Sequence, residues 1–207
     1  MRPAARLLLI EADHLPVVLL GIDEAGFERP TLLPGWTVRD VVAHCAAVLT
    51  RTASGIPSAY RPDENQADVD LRRSWPIHEV VAELVDGYRG AAAAIDRAGG
   101  SLDGVGLGEW IHGGDIRHAL GRPDAYRSPG VTLALDLIRE RSLTRLDVGV
   151  DADVGGDEIH LGPPDRHDVR LVCDDAAAFI RIVAGRRPDP ATYRLDGADP
   201  GELVLFH

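Results

Sequence analysis

The sequence predicts an α+β protein: a helix bundle over roughly residues 1–145, then a small C-terminal mixed α/β module over 146–207. Up to about residue 145, apolar residues recur at the three- and four-residue intervals of helices. Beyond it they alternate, and Gly155-Gly156 breaks the alternation as a hairpin turn does. No apolar run reaches the eighteen or so residues needed to cross a bilayer, so the chain reads as a soluble protein.

In the first part, "PAARLLLIEADHLPVVLLGIDEAG" (3–26) carries a wide apolar stripe and is expected to bend or break at Pro16. "TLLPGW" (31–36) is a turn. Thr37 is then a good N-cap, with Asp40 three residues on at the positive helix end. The helix it opens, "VRDVVAHCAAVLTRTA" (38–53), puts Val38, Val41, Val42, Cys45 and Val48 on one face. "IPSAYRPDENQADVDLRR" (56–73) reads as a polar loop, long enough to serve as a lid. Ser74 and Pro76 start a third helix that stops at Gly99-Gly100. A fourth holds "GEWIHGGDIRHALG" (108–121), and a fifth, "GVTLALDLIRERSLTRL" (130–146), leads out of the bundle.

In the second part, "RLDVGVDA" and "DEIHLG" form the expected hairpin, and "VRLVCDD" is a further strand. The Asp pair at 174–175 is placed to cap "AAFIRIVAGR", which closes at Gly185. "YRLDGADPGELVLF" finishes with strand character.

Composition narrows the function. The net charge is −11, against a nucleic-acid partner, which calls for a basic surface. All 22 basic residues are Arg, which excludes a Schiff-base lysine and a P-loop lysine. Cys45 and Cys173 lie far apart without paired spacing, as in a reduced cytosol. The N-terminal stretch carries an acid within its apolar part and no small-residue cleavage site, which argues against a signal peptide. The chain is expected in the cytoplasm, with no membrane partner.

The chemistry concentrates in 108–121. On a helix, Glu109 and His112 sit about 60° apart on adjacent turns. Asp115 continues that row, and His118 points away. His44 lies mid-helix in an otherwise apolar stretch. If the two helices face each other, His44, Glu109 and His112 converge as two imidazoles and a carboxylate. That donor set suits Zn²⁺ or a similar divalent ion with one position left open, and Asp115 is placed to orient a ligand His. Spacing alone leaves a plainer reading open, because a lone His inside an apolar helix is ordinarily a core residue with one hydrogen bond. Glu-x-x-His is also a common pattern. His14, His78, His118, His160 and His167 read as surface or locally hydrogen-bonded residues, and Trp36, Trp75 and Trp110 as packing anchors. Cys45 is adjacent to His44 in sequence, but helix neighbours diverge by about 100° and do not form a nucleophile pair.

"TLLPGWTVRDVVAH" (31–44) and "GEWIHGGDIRHALGRPDAY" (108–126) resemble the two motifs of the mycothiol-dependent maleylpyruvate isomerase family, within the DinB-like bundle superfamily. "FIRIVAGRRPDPATYRLDGADPGELVLF" (179–206) resembles a C-terminal module often attached to such bundles. The resemblance implies a DinB-like four-helix bundle with a divalent metal held by His44, Glu109 and His112. In the enzyme that names the family the Glu lies four residues before the His; here the interval is three. The family also uses an Arg of the C-terminal module for activity, for which Arg186 or Arg187 is the nearest match. The lysine-free, GC-rich composition fits an actinobacterial source, where mycothiol is the principal small thiol.

The implied chemistry is addition of a thiolate, from mycothiol or a similar low-molecular-weight thiol, to a small electrophilic substrate. In an isomerase the adduct is reversed; in an S-transferase it is kept. Asp115, with Arg186 or Arg187 pairing a substrate carboxylate, would serve that reaction. The alternative is a non-catalytic bundle that binds a small ligand or a partner protein. A monomer or homodimer is expected.

Overall fold

The computed structural model describes residues 1–56 and 61–206. They form two compact units, Met1–Ala125 and Tyr126–His207.

The first unit is a helix bundle. Its opening helix α1 (Pro3–Leu20) has Pro3 in its first turn, where a missing N–H costs nothing, and runs through Pro16. It stops at Gly21 rather than continuing to 26. Asp23 there caps a separate single turn, α2 (Glu24–Phe27), by accepting from the Gly26 N–H at 3.0 Å. Helix α3 (Val38–Ala53) begins as expected. Thr37 and Asp40 form a reciprocal box, with the Asp40 carboxylate accepting from the Thr37 N–H at 2.9 Å.

The expected polar loop is corrected in part. Residues 57–60 lie outside the described residues, but Pro62–Arg72 form a helix, α4. Pro62 in the first turn and Asp63 and Glu64 beside the positive helix end favour it locally. It carries no apolar stripe and buries only Val69 and Arg72. Arg72 is held through Nε and Nη2 by the Glu83 carboxylate, at 2.6 Å each, and lies over the Trp75 ring.

Glu83 belongs to α5 (Ile77–Arg97), which closes before Gly99 and Gly100, both at positive φ. Pro76 takes the cap position of α5, and no side chain caps it. Helix α6 (Asp103–Ala119) completes the bundle, in which α1, α3, α5 and α6 pack on one another. Leu7, Leu8, Leu15, Val41, Val42, Leu84, Ile95 and Trp110 are all buried in its core. Each contributes on the order of 1.5–3 kcal/mol through removal of apolar surface from water.

The second unit begins at Tyr126 and takes in α7 (Val131–Ser142), the fifth helix of the sequence reading. Polar contacts tie α7 there: Ser142 Oγ accepts from the Gly162 N–H at 2.9 Å, and Arg141 Nε donates to the Leu205 carbonyl at 2.8 Å. The break therefore falls twenty residues before the change of hydrophobic pattern near 146, because contacts far along the chain recruit the helix.

Strands β1 (Val150–Val154), β2 (Asp157–Leu161) and β3 (Val169–Cys173) follow, then α8 (Ala176–Val183) and β4 (Tyr193–Asp196). The sheet order is β2-β1-β3-β4, with β1 parallel to β3 and the other pairs antiparallel. Gly155 and Gly156 turn the β1–β2 hairpin at φ 64° and 96°, a geometry that favours glycine at both positions. Asp175 caps α8 by accepting from the Ala178 N–H at 2.8 Å. The strand expected to run to 206 is cut short at Asp196. Asp199 and Glu202 box a 3-10 turn at Pro200–Leu203, and Pro200 has no N–H to offer a ladder.

Among the described residues no helix is long and apolar enough to cross a membrane.

Candidate functional site

Helices α3 and α6 bring the expected polar residues into the bundle interior. His44 is 6% exposed, Glu109 3% and Asp115 0%. The His44 and His112 rings meet edge-to-face, with centroids 5.2 Å apart. His112 Nδ1–H donates to Asp115 Oδ2 at 3.1 Å across one helical turn. That bond fixes the tautomer and leaves Nε2 as the ring's lone-pair nitrogen. Trp36 stands on the other side of His44, ring centroids 5.2 Å apart, and donates through Nε1 to Gln66 of α4 at 3.0 Å. The unexpected helix α4 thus supports a residue of the site.

Glu109 is a strongly perturbed acid. Burial pushes its carboxyl up to about 8, with Glu11 adding repulsion and a hydrogen bond from the Cys45 thiol acting the other way. Its Oε2 is buried and has no hydrogen-bond partner among the described residues. Burial and the neighbouring Glu109 hold the Cys45 thiol well above its ordinary value, so Cys45 is no thiolate nucleophile. Tyr88 is raised too, by burial and then by Glu11.

A guanidinium, that of Arg117, enters this interior. Arg117 Nη2 donates to Glu11 Oε2 at 2.5 Å, and both side chains are essentially inaccessible. Gly113, one residue from His112, makes room for the pair. A Cβ there would lie 2.6 Å from Glu11 Oε2 and 3.0 Å from Arg117 Nη1. Arg117 pairs with Glu11, Asp115 accepts from His112, and the Glu109 carboxyl lies buried in the same water-poor interior. Such an interior gains from a further cation. By its chemistry the donor set suits a divalent ion, with a desolvated carboxyl oxygen lacking a donor among the described residues and two imidazoles in contact, one of them oriented by a carboxylate. The ligand atoms of His44, Glu109 and His112 do not all lie within 4.8 Å of one another.

Arg186 and Arg187 belong to the second unit. Arg186 is half-buried, with Nη1 donating to the Ala184 carbonyl at 2.5 Å, and Arg187 is exposed. Of the remaining histidines, His14, His78 and His118 are exposed. His160 and His167 meet at Asp151, a convergence to which no spacing in the sequence pointed. Trp110 is fully buried as a packing anchor, whereas Trp36 and Trp75 are half-buried.

Residues 8–117 match the family model of the mycothiol maleylpyruvate isomerase N-terminal domain. The fold resembles the crystal structure of the mycothiol-dependent maleylpyruvate isomerase, with a TM-score of 0.62 and 16% identity, over 95% of this chain and 93% of that one. A histidine-to-alanine mutant of that enzyme gives a TM-score of 0.59 at 14% identity, over the same shares. No curated protein matches the sequence.

Proposed function

This chain belongs to the mycothiol maleylpyruvate isomerase N-terminal domain family, and from that premise we propose that it is a metal- and thiol-dependent enzyme. It adds the thiolate of mycothiol, or of a similar small thiol, to a small electrophilic substrate. The observation that carries this reading is Glu109 Oε2, buried without a hydrogen-bond donor among the described residues on a carboxyl raised to about 8, one helical turn from His112.

His44, Glu109 and His112 would hold the ion. A divalent ion there, of the zinc kind, supplies a Lewis acid that favours the thiolate form of a thiol at neutral pH. Asp115 acts on His112, holding its Nδ1–H so that Nε2 is presented as a donor. The Arg117–Glu11 pair and the apolar faces of α1, α3 and α5 keep water from these groups, which strengthens each electrostatic contact. Cys45 stays protonated and donates to Glu109, so the attacking sulfur is the external thiol's.

The thiolate adds to an electrophilic carbon. In an isomerase the adduct turns about the former double bond and expels the thiolate again. In an S-transferase a proton is taken up and the thioether is released. Arg186 or Arg187 is proposed, on the family pattern, to pair a carboxylate of the substrate.

The test is metal content by elemental analysis of protein purified without a tag, beside His112→Ala and Asp115→Asn. We expect near-stoichiometric divalent metal in the parent and its loss from the bundle site in His112→Ala. Affinity should fall about 10–100-fold in Asp115→Asn, the scale for a residue that orients a ligand. A parent that holds no metal in the bundle and takes none up would make Glu109 and His112 structural polar residues. The chain would then be a binding module.

A further inference from the structure

Asp151 on β1 and His160 on β2 are directly opposed across the hairpin. The loop after β2 turns back and brings His167 to the same carboxylate. His160 Nδ1–H donates to Asp151 Oδ1 at 2.9 Å, and His167 Nδ1–H donates to Oδ1 and Oδ2 at 3.0 and 2.9 Å. Among the described residues, these three form the one group of His, Cys, Asp and Glu whose ligand atoms all lie within 4.8 Å of one another.

We propose that Asp151, His160 and His167 form a second metal site, taking a divalent transition-metal ion of the zinc class and pinning the 163–168 loop to the β1–β2 hairpin. The donors are two imidazole nitrogens and one carboxylate oxygen, a set that suits Zn²⁺, Co²⁺, Ni²⁺ or Cu²⁺ rather than Mg²⁺ or Ca²⁺. His160 is already oriented as ligand histidines are: its Nε2–H donates to the Pro163 carbonyl at 3.0 Å, which directs Nδ1 at the site. Metal binding removes the two Nδ1 protons to solvent and leaves that Nε2–H bond intact. Ligand atoms around a tetrahedral zinc lie about 3.4 Å apart, so N···O separations of 2.9–3.0 Å have only about half an ångström to open.

The frame that places His167 is built rather than incidental. Gly149 N–H donates to Asp168 Oδ2 at 2.9 Å, and the Gly149 carbonyl accepts from the Asp168 and Val169 N–H groups at 2.9 and 3.0 Å. The loop lies so close that a Cβ on Gly149 would fall 1.8 Å from the Arg166 carbonyl oxygen. Three ligands therefore stand on β1, on β2 and on a loop locked to the start of β1. The inference is independent of the bundle reading.

Zinc titration of the chelator-stripped, full-length chain by calorimetry tests it, with His167→Asn, Asp151→Asn and His112→Ala run beside the parent. His167 is exposed and Asp151 half-exposed, so both variants should fold; circular dichroism checks this, and if one unfolds the other decides. Beyond the equivalent assigned to the bundle, we expect the parent to take up one that is retained in His112→Ala and weakened at least about tenfold in His167→Asn and Asp151→Asn. Parent-like zinc uptake in a folded His167→Asn or Asp151→Asn variant overturns the proposal, as does a parent whose only zinc is lost in His112→Ala. The latter result would leave the bundle reading standing.

Discussion

Glu109 in the bundle and Asp151 on the sheet are each the carboxyl of a histidine-bearing cluster, and their acidities move in opposite directions. Burial lifts Glu109 to about 8, and the single thiol bonded to it does little against that. Asp151 keeps contact with water and accepts from two imidazoles, which hold it below the ordinary carboxylate range. The same bonds raise His160. Desolvation governs the first cluster and hydrogen bonding the second, so similar side chains carry different electrostatic states. The bundle cluster holds a buried carboxyl whose proton an ion would displace. The sheet cluster already holds protons that a metal would have to displace.

The sharpest way to break the contrast is to remove the guanidinium that pairs with Glu11 in the bundle interior. Arg117→Ala removes a charge partner of the buried Glu11 carboxylate and should cost about 3–5 kcal/mol of stability by urea denaturation. A loss under about 1 kcal/mol would mean that water reaches this interior.

Titration sharpens the contrast further. The folded pKa of Glu109 lies above its unfolded value of 4.5, so the stability it contributes in the metal-free protein is complete below about 4.5. That contribution declines as pH rises and is gone above about 8. Denaturation midpoints of the metal-free chain between these limits should fall with pH, and Glu109→Gln should flatten the decline. An equal slope in the variant would assign it to other groups.

The smallest effect belongs to the sheet. In the absence of metal, His167→Asn should change stability by no more than about 0.5 kcal/mol, as exposed substitutions do. A larger loss would mean that the proton-bridged cluster already holds the loop.

Much of the bundle site was legible because it lies on two helices of strong pattern. The Thr37–Asp40 box fixes where α3 begins, and the three-residue rows of α6 put Glu109, His112 and Asp115 on one face. The family motifs then singled out the same residues. Gln66 behind Trp36 was not legible. Helix α4 is polar nearly all round and gives no periodic signal, and it is held by contacts such as Arg72 with Glu83. Nothing in the sequence singles out Arg117, because its partner Glu11 lies 106 residues away.

The sequence by itself determined the Thr37 and Asp175 caps, the Gly155-Gly156 hairpin, the helices of strong apolar pattern and the polar row on α6. These depend on residues within a few positions of one another, where backbone geometry and local hydrogen bonds decide. Only the tertiary structure decided that α7 joins the second unit, that Arg117 meets Glu11, and that His160 and His167 share Asp151. Those pairings depend on which buried surfaces come together over long separations, and no local spacing encodes that.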